Sequence, residues 1–100
     1  MATLVPPDLQ ERANAVVAQT IRNGADLFFE QPDKVAKIAR VGRDCALDYV
    51  QDKLRIQIDG LSALQQRGSW AYDYSLHLGL KQALAAVQRP GFKDKWEAGQ

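Results

Sequence analysis

The sequence predicts an all-α protein, and two observations carry that prediction. Apolar residues recur at three- and four-residue steps through most of the 100-residue chain, as on one face of a helix. Proline and glycine interrupt this pattern where helices are expected to end. The composition, 46% hydrophobic and 25% charged, is typical of a globular domain. We expect one domain over 1–100, a small bundle of three main helices built on an antiparallel hairpin of two long helices.

The first predicted helix covers 7–30 and follows a short flexible arm at 1–6. Pro7 suits the first turn of a helix, where its missing N–H costs nothing. One continuous apolar face is made by Leu9, Ala13, Val16, Val17, Thr20, Ile21, Gly24 and Phe28. Gly24 on this face suggests the close approach of a second helix, or a bend. The proline at position 32 ends the helix, because the residue before a proline disfavours helical geometry.

The second predicted helix covers 33–59 and carries two apolar stripes. The first stripe comprises Val35, Ile38, Gly42, Cys45 and Tyr49. The second comprises Leu47, Val50, Leu54, Ile58 and Leu61. Two stripes on one helix predict two neighbours, as in the centre of a bundle or in a helix shared with a dimer partner. The pair Asp59-Gly60 predicts the end of this helix.

The third predicted helix covers 69–88, with Ser69 as its N-cap and Pro90 shortly after its end. An α+β alternative stays open, because aromatic and apolar residues alternate strictly through the start of this segment. In that alternative, a short hairpin pairs 54–59 with 69–76. The tail at 91–100 carries Phe92 and Trp96 four residues apart, so both point the same way on a helical turn, and docking onto the bundle is their favoured role.

Charge order along the second predicted helix is its most informative feature. The first half is basic and the second half is acidic, against the preference of the helix dipole. The residues are Lys34, Lys37, Arg40, Arg43, Asp44, Asp48 and Asp52. Four explanations stay open: antiparallel self-pairing of two copies, pairing with the first helix, an external anion such as nucleic acid, and coincidence. Self-pairing leads us to expect a homodimer.

The sequence offers few catalytic or metal-binding groups. His77 is the single histidine, with Asp73 and Lys81 four residues to either side, and we expect it to face solvent in ion pairs. Three aspartates, at 44, 48 and 52, would form one stripe on a helix, which we interpret as a solvated or partner-facing surface and assign, with the four basic residues before it, to a charged interface. We predict no enzymatic activity, no metal and no cofactor.

Several aromatic side chains cannot all be buried in so short a chain. Adjacent aromatics such as Phe28 and Phe29 point in different directions on a helix, so some aromatic surface should be exposed. Because exposed Trp and Tyr are common in binding hot spots, the predicted partner-binding residues are Phe29, Trp70, Tyr72, Tyr74 and Trp96.

We therefore predict a non-catalytic protein-interaction module: an adaptor, inhibitor or regulatory subunit whose partner is another protein. The alternative is a nucleic-acid-binding regulator that uses the basic residues at 34–43. The start of the chain lacks the features of a signal peptide, and no apolar stretch is long enough to span a bilayer. We expect a cytoplasmic location without membrane contact. No motif is specific enough to indicate a family.

Overall fold

A computed structural model describes residues 7–99, which form five α-helices and no strand. The helices are α1 (Pro7–Glu30), α2 (Pro32–Ala39), α3 (Leu47–Gln66), α4 (Tyr74–Val87) and α5 (Phe92–Ala98). The predicted all-α class is confirmed. The hairpin alternative is wrong, since 54–59 lie within α3. The predicted flexible arm at 1–6 lies outside the described residues.

Helix α4 is the centre of the fold, because α1 and α3 both pack mainly against it. Helix α1 runs parallel to α4: Ile21 lines the same cleft as Leu78 in the first half of α4, and Asp26 forms an ion pair with Arg89 just past the end of α4. Helix α3 runs antiparallel to α4 and is joined to it by the short loop 67–73. An antiparallel helical hairpin is therefore present, but α3 and α4 form it rather than the first two predicted helices.

The predicted continuous helix at 33–59 is wrong, because the chain leaves the helix at Arg40. This residue adopts left-handed geometry (φ 59°, ψ 48°). The Arg40 N–H then donates to the Lys37 carbonyl, and the Val41 N–H donates to the Ala36 carbonyl. This pattern of helix ending usually has glycine at the left-handed position, so the sequence carried no local signal for it. The side-chain amide of Gln57 completes the ending by donating to the Ala39 carbonyl at 3.0 Å.

The other boundaries also shifted from their predicted positions. Helix α3 continues through Gly60 to Gln66, because Leu61 is buried and Leu64 packs against the core. This packing outweighs the cost of about 1 kcal/mol for glycine within a helix. Helix α4 begins at Tyr74 rather than at Ser69, since the carboxylate of Asp73 caps it by accepting from the Leu76 N–H at 3.0 Å.

The core lies where α2, α3, α4 and α5 converge. Its fully buried large side chains are Trp96, Phe92, Leu54, Leu80, Val35 and Val50. The predicted clustering of Phe92 and Trp96 on one side of a helical turn is confirmed, with ring centroids 6.3 Å apart. Gly24 lies against the side chain of Gln82 on α4, where a Cβ atom would overlap that side chain. The close approach suggested for Gly24 is thus present.

Candidate interaction surface

The loop 67–73 between α3 and α4 is held in place by hydrogen bonds at its first half. Gly68 adopts left-handed geometry with φ 64°, which glycine accepts without strain. The Ser69 N–H donates to the Leu64 carbonyl at 3.0 Å, and the Ala71 N–H donates to the Ser69 hydroxyl at 3.1 Å. The loop therefore has a defined path, and the side chains it carries project from a fixed backbone.

Trp70 projects from this loop almost entirely into solvent, with 97% of its surface exposed. Tyr74, at the start of α4, is 62% exposed. An aromatic side chain of this size buries about 150–250 Å² when it is covered. The loop thus presents the most exposed large apolar side chain among the described residues.

The second half of the loop is anchored through His77. The Tyr72 hydroxyl lies 2.8 Å from His77 Nδ1, and the Ser62 hydroxyl of α3 lies 3.2 Å from His77 Nε2. The rings of Tyr72 and His77 meet edge to face, with centroids 5.5 Å apart. His77 is only 3% exposed, so this network ties the loop to both helices of the hairpin.

Burial lowers the pKa of His77 below its ordinary value of 6.5, and the positive charge of Lys81 lowers this pKa further. The expected solvent-facing, ion-paired histidine is therefore wrong. Asp73 does not orient the imidazole, because its carboxylate caps α4 instead. The neutral imidazole is satisfied at both nitrogens by hydroxyl groups from outside α4.

The contacts among Ser62, His77 and Tyr72 resemble a catalytic arrangement, in which Ser62 would be the nucleophile, His77 the base and Tyr72 the group that orients the base. A catalytic site also needs room for a reacting atom beside the nucleophile. The cleft beside His77 is small, about 120 Å³, and its described lining includes Tyr72, Tyr74 and Lys81 but not Ser62. The network is better explained as the anchor of the loop, and the sequence carried no signal for Ser62.

An open apolar groove lies between α3 and α4, on the side of α4 away from α1. Its volume is about 460 Å³. Its described lining comprises Arg40, Gln57, Gly60, Leu61, Ala63, Leu64, Arg67, Leu76 and Leu80. The short helix α2 ends at the rim of this groove with Arg40. No sequence pattern indicated this groove, because it exists only where the end of α2 leaves α3 and α4 uncovered.

The other two predicted aromatic contacts are occupied inside the molecule. Trp96 is fully buried, its indole N–H donates to the Cys45 carbonyl at 2.9 Å, and its ring lies under the Arg43 guanidinium at 4.4 Å. The ring of Phe29 is half-buried and is covered by the cationic groups of Arg89 and Lys95 at 4.5 and 4.6 Å. The full burial of Trp96 corrects its prediction as an exposed partner contact, whereas Phe29 keeps part of its surface exposed and its partner contact stays a prediction. Tyr72 is half-buried against His77, which leaves Trp70 and Tyr74 as the exposed predicted aromatics.

The predicted charged residues do not lie on one helix. Lys34 and Lys37 are exposed on α2, and Arg40 is exposed at its end. Asp48 and Asp52 are exposed on α3.

The remaining two predicted charged residues, Arg43 and Asp44, lie in the segment 40–46 that connects α2 to α3. Arg43 pairs with Asp33 at 2.9 Å and donates to the Trp96 carbonyl at 3.3 Å, so it is part of the fold. Because the basic and acidic residues lie on separate helices, two copies of one long helix cannot pair antiparallel through them as predicted.

The comparisons with known proteins contain no match: no protein-family model, no curated protein and no solved structure is similar to this chain at a significant level. Over residues 7–99, no helix has the length and apolarity needed to cross a membrane. Within the same range, no three His, Cys, Asp or Glu side chains are grouped so that they could hold a metal ion.

Proposed function

We propose that this chain is a non-catalytic protein-interaction module that binds another protein through Trp70 and Tyr74. The observation that carries this proposal is the 97% exposure of Trp70 on a loop with a defined path. Binding energy at protein interfaces concentrates in a few Trp, Tyr and Arg side chains that become fully covered. An anchored loop also loses less conformational entropy on binding than a flexible one.

The surroundings of Trp70 support the same proposal. Arg67 lies three residues before it and is exposed, as is Lys81 beside the cleft that Tyr74 lines. Aromatic residues and Arg are enriched at interfaces, and cationic groups around them complement a partner with acidic groups. In this proposal the module works in the cytoplasm as an adaptor, an inhibitor or a regulatory subunit.

Affinity capture with three forms of the protein tests this proposal. The wild-type chain, Trp70→Ala and Tyr49→Ala are immobilised separately and exposed to extract from the native cell. Tyr49 is a matched control, because it is 51% exposed on α3 and its removal also deletes an exposed aromatic side chain. We expect a partner that Tyr49→Ala retains and Trp70→Ala loses. If Trp70→Ala captures the same proteins in the same amounts as the wild type, the proposal fails.

Nucleic-acid binding is the second candidate, and the exposure of Lys34, Lys37 and Arg40 favours it. Phosphate contacts made by such residues weaken steeply as the salt concentration rises. The candidate predicts retention on a DNA or RNA column at low salt, lost in Lys34→Glu/Lys37→Glu. A wild-type chain that flows through at low salt excludes this function.

A further inference from the structure

Most of the N-terminal segment of α1, residues 8–20, extends beyond the start of α4. Every described side chain in it is exposed: Asp8, Glu11, Arg12, Ala15, Val16, Ala18, Gln19 and Thr20. Described contacts between α1 and α4 start at Thr20, whose carbonyl lies 3.5 Å from the Gln82 amide, and at Ile21, beside Leu78. Because the two helices are parallel and α4 starts at Tyr74, about ten residues of α1 project past it, or about 15 Å.

A projecting helical segment is stabilised when its apolar face is covered. Isolated helices shorter than about 12–15 residues are marginal in water, and most helix stability comes from packing of an apolar face. The sequence of the segment has such a face, with Leu9, Ala13, Val16 and Val17 at helical spacing. Val16 alone is 65% exposed. The segment thus has the pattern of a helix that docks into a groove.

The groove between α3 and α4 has the complementary form. Leu61 and Leu80 are buried at its floor, while Leu64 and Leu76 are half-buried along it. Gly60 offers no side chain, and no atom lies within 4 Å of the position where its Cβ would be. A glycine at such a place lets another helix approach closely. The groove can therefore receive the apolar face of a further helix, beyond the end of α2.

The charges of the two surfaces are also complementary. Arg40 and Arg67 are the charged residues in the described lining of the groove, and both side chains are exposed. The N-terminal segment carries Asp8 and Glu11 against a single cation, Arg12. Acidic groups beside an apolar face thus match an apolar groove with arginines at its rim.

The segment cannot fill the groove of its own molecule. Helix α1 contacts the side of α4 that carries Leu78 and Gln82, whereas the groove is on the side that carries Leu76 and Leu80. The groove and the projecting segment are nevertheless at the same end of the molecule, where α3 ends and α4 begins. A second copy placed against this end can exchange segments reciprocally, which is the property of a twofold dimer.

We propose that the chain forms a twofold homodimer in which residues 8–20 of each copy dock into the α3–α4 groove of the other. The exposed Val16 of the segment contacts Leu64 and Leu76, and the exposed Asp8 and Glu11 face Arg40 and Arg67. This dimer does not depend on Trp70 as a binding residue, so the capture experiment and the experiment below can fail separately.

Paired charge reversals test the dimer. The segment variant is Asp8→Lys/Glu11→Lys, and the groove variant is Arg40→Glu/Arg67→Glu. All four side chains are exposed, and circular dichroism checks that each variant keeps its helical content. Light scattering after size exclusion measures the mass from dilute to concentrated solution.

We expect the wild type to be a dimer, and each variant alone to dissociate at concentrations at least about tenfold higher than the wild type does. An equimolar mixture of the two variants should regain the dimer, because both of its interfaces are matched again. Arg55→Glu is the control, since it reverses an exposed charge on α3 outside the described lining of the groove, and it should leave the dimer unchanged.

A variant without charge change gives an independent test. Gly60→Gln places a long neutral side chain in the groove and replaces glycine by a better helix former, so the fold is retained. We expect it to be monomeric at concentrations where the wild type is a dimer. A wild type that is monomeric at all concentrations overturns the proposal. So does a dimer that Gly60→Gln or the charge reversals leave intact, or a mixture that stays monomeric.

Discussion

The two tryptophans of the chain provide a direct comparison, because Trp96 is fully buried and Trp70 is almost fully exposed. We predict that Trp96→Ala lowers the free energy of unfolding by about 4 kcal/mol, within the range for removing a buried aromatic side chain. The indole N–H bonded to the Cys45 carbonyl contributes about 1 kcal/mol of this amount. The cation–π contact with Arg43 contributes about 0.5–1 kcal/mol. Loss of apolar burial accounts for most of the remainder.

The expected loss of about 4 kcal/mol for Trp96→Ala is large compared with the total stability of a domain of this size, which is about 5–15 kcal/mol. Trp96→Phe separates the two parts, because it keeps an aromatic ring in the core and removes the N–H donor. We expect Trp96→Phe to cost about 1–2 kcal/mol, from the Cys45 carbonyl left without this donor and from a smaller ring. Trp70→Ala is the control and should change stability by less than about 0.5 kcal/mol.

Urea unfolding followed by far-ultraviolet circular dichroism measures all three variants at one protein concentration. If the dimer proposed above forms, holding the concentration fixed keeps the comparison valid. A loss of less than about 1 kcal/mol for Trp96→Ala would contradict this prediction, as would a Trp70→Ala variant as destabilised as Trp96→Ala. Either result would mean that α5 does not dock through its tryptophan.

Two further predictions concern the α3–α4 hairpin. Because the pKa of His77 is lowered in the folded state, the unfolded chain takes up a proton first as the pH falls below 6.5. The free energy of unfolding is thus highest above pH 6.5 and falls on acidification. Urea unfolding at a series of pH values should show a steeper fall for the wild type than for His77→Gln. Parallel curves for the two proteins would contradict the buried neutral imidazole. Asp73→Ala removes the cap of α4 and should cost about 1 kcal/mol, whereas Asp73→Asn, which keeps a capping oxygen, should cost less. Equal losses for the two Asp73 variants in the same assay would show that the cap contributes nothing.

Local rules predicted the elements whose ends depend on neighbouring residues. The first helix was expected over 7–30 and is observed at Pro7–Glu30, since a proline at its start and another after its end act on the backbone directly. The pairing of Phe92 with Trp96 on one side of a turn likewise follows from helical geometry. Such features need no knowledge of what the helix packs against.

The candidate site was predicted only in part. Trp70 and Tyr74 were expected to be exposed and are exposed, Trp70 in the loop before α4 and Tyr74 at the start of that helix. The environment of His77 was not predictable, since its hydrogen-bond partner Ser62 is 15 residues away on another helix. The role of Trp96 was predicted in two ways, and only the packing of α5 on the core decides between exposure and burial.

The sequence alone determined that the chain is helical, where its first helix begins and ends, and that its aromatic residues outnumber the places for them on one face. Only the tertiary structure decided where the second predicted helix breaks. At Arg40 a residue without glycine's freedom takes left-handed geometry, because the Gln57 side chain from α3 binds the last carbonyl of α2 and Val41 packs against the core. At Gly60 the opposite holds, since the packing of Leu61 carries α3 through a residue that weakens helices. Backbone preferences of about 1 kcal/mol are smaller than the packing energy of one buried leucine, so the assembled core sets such boundaries.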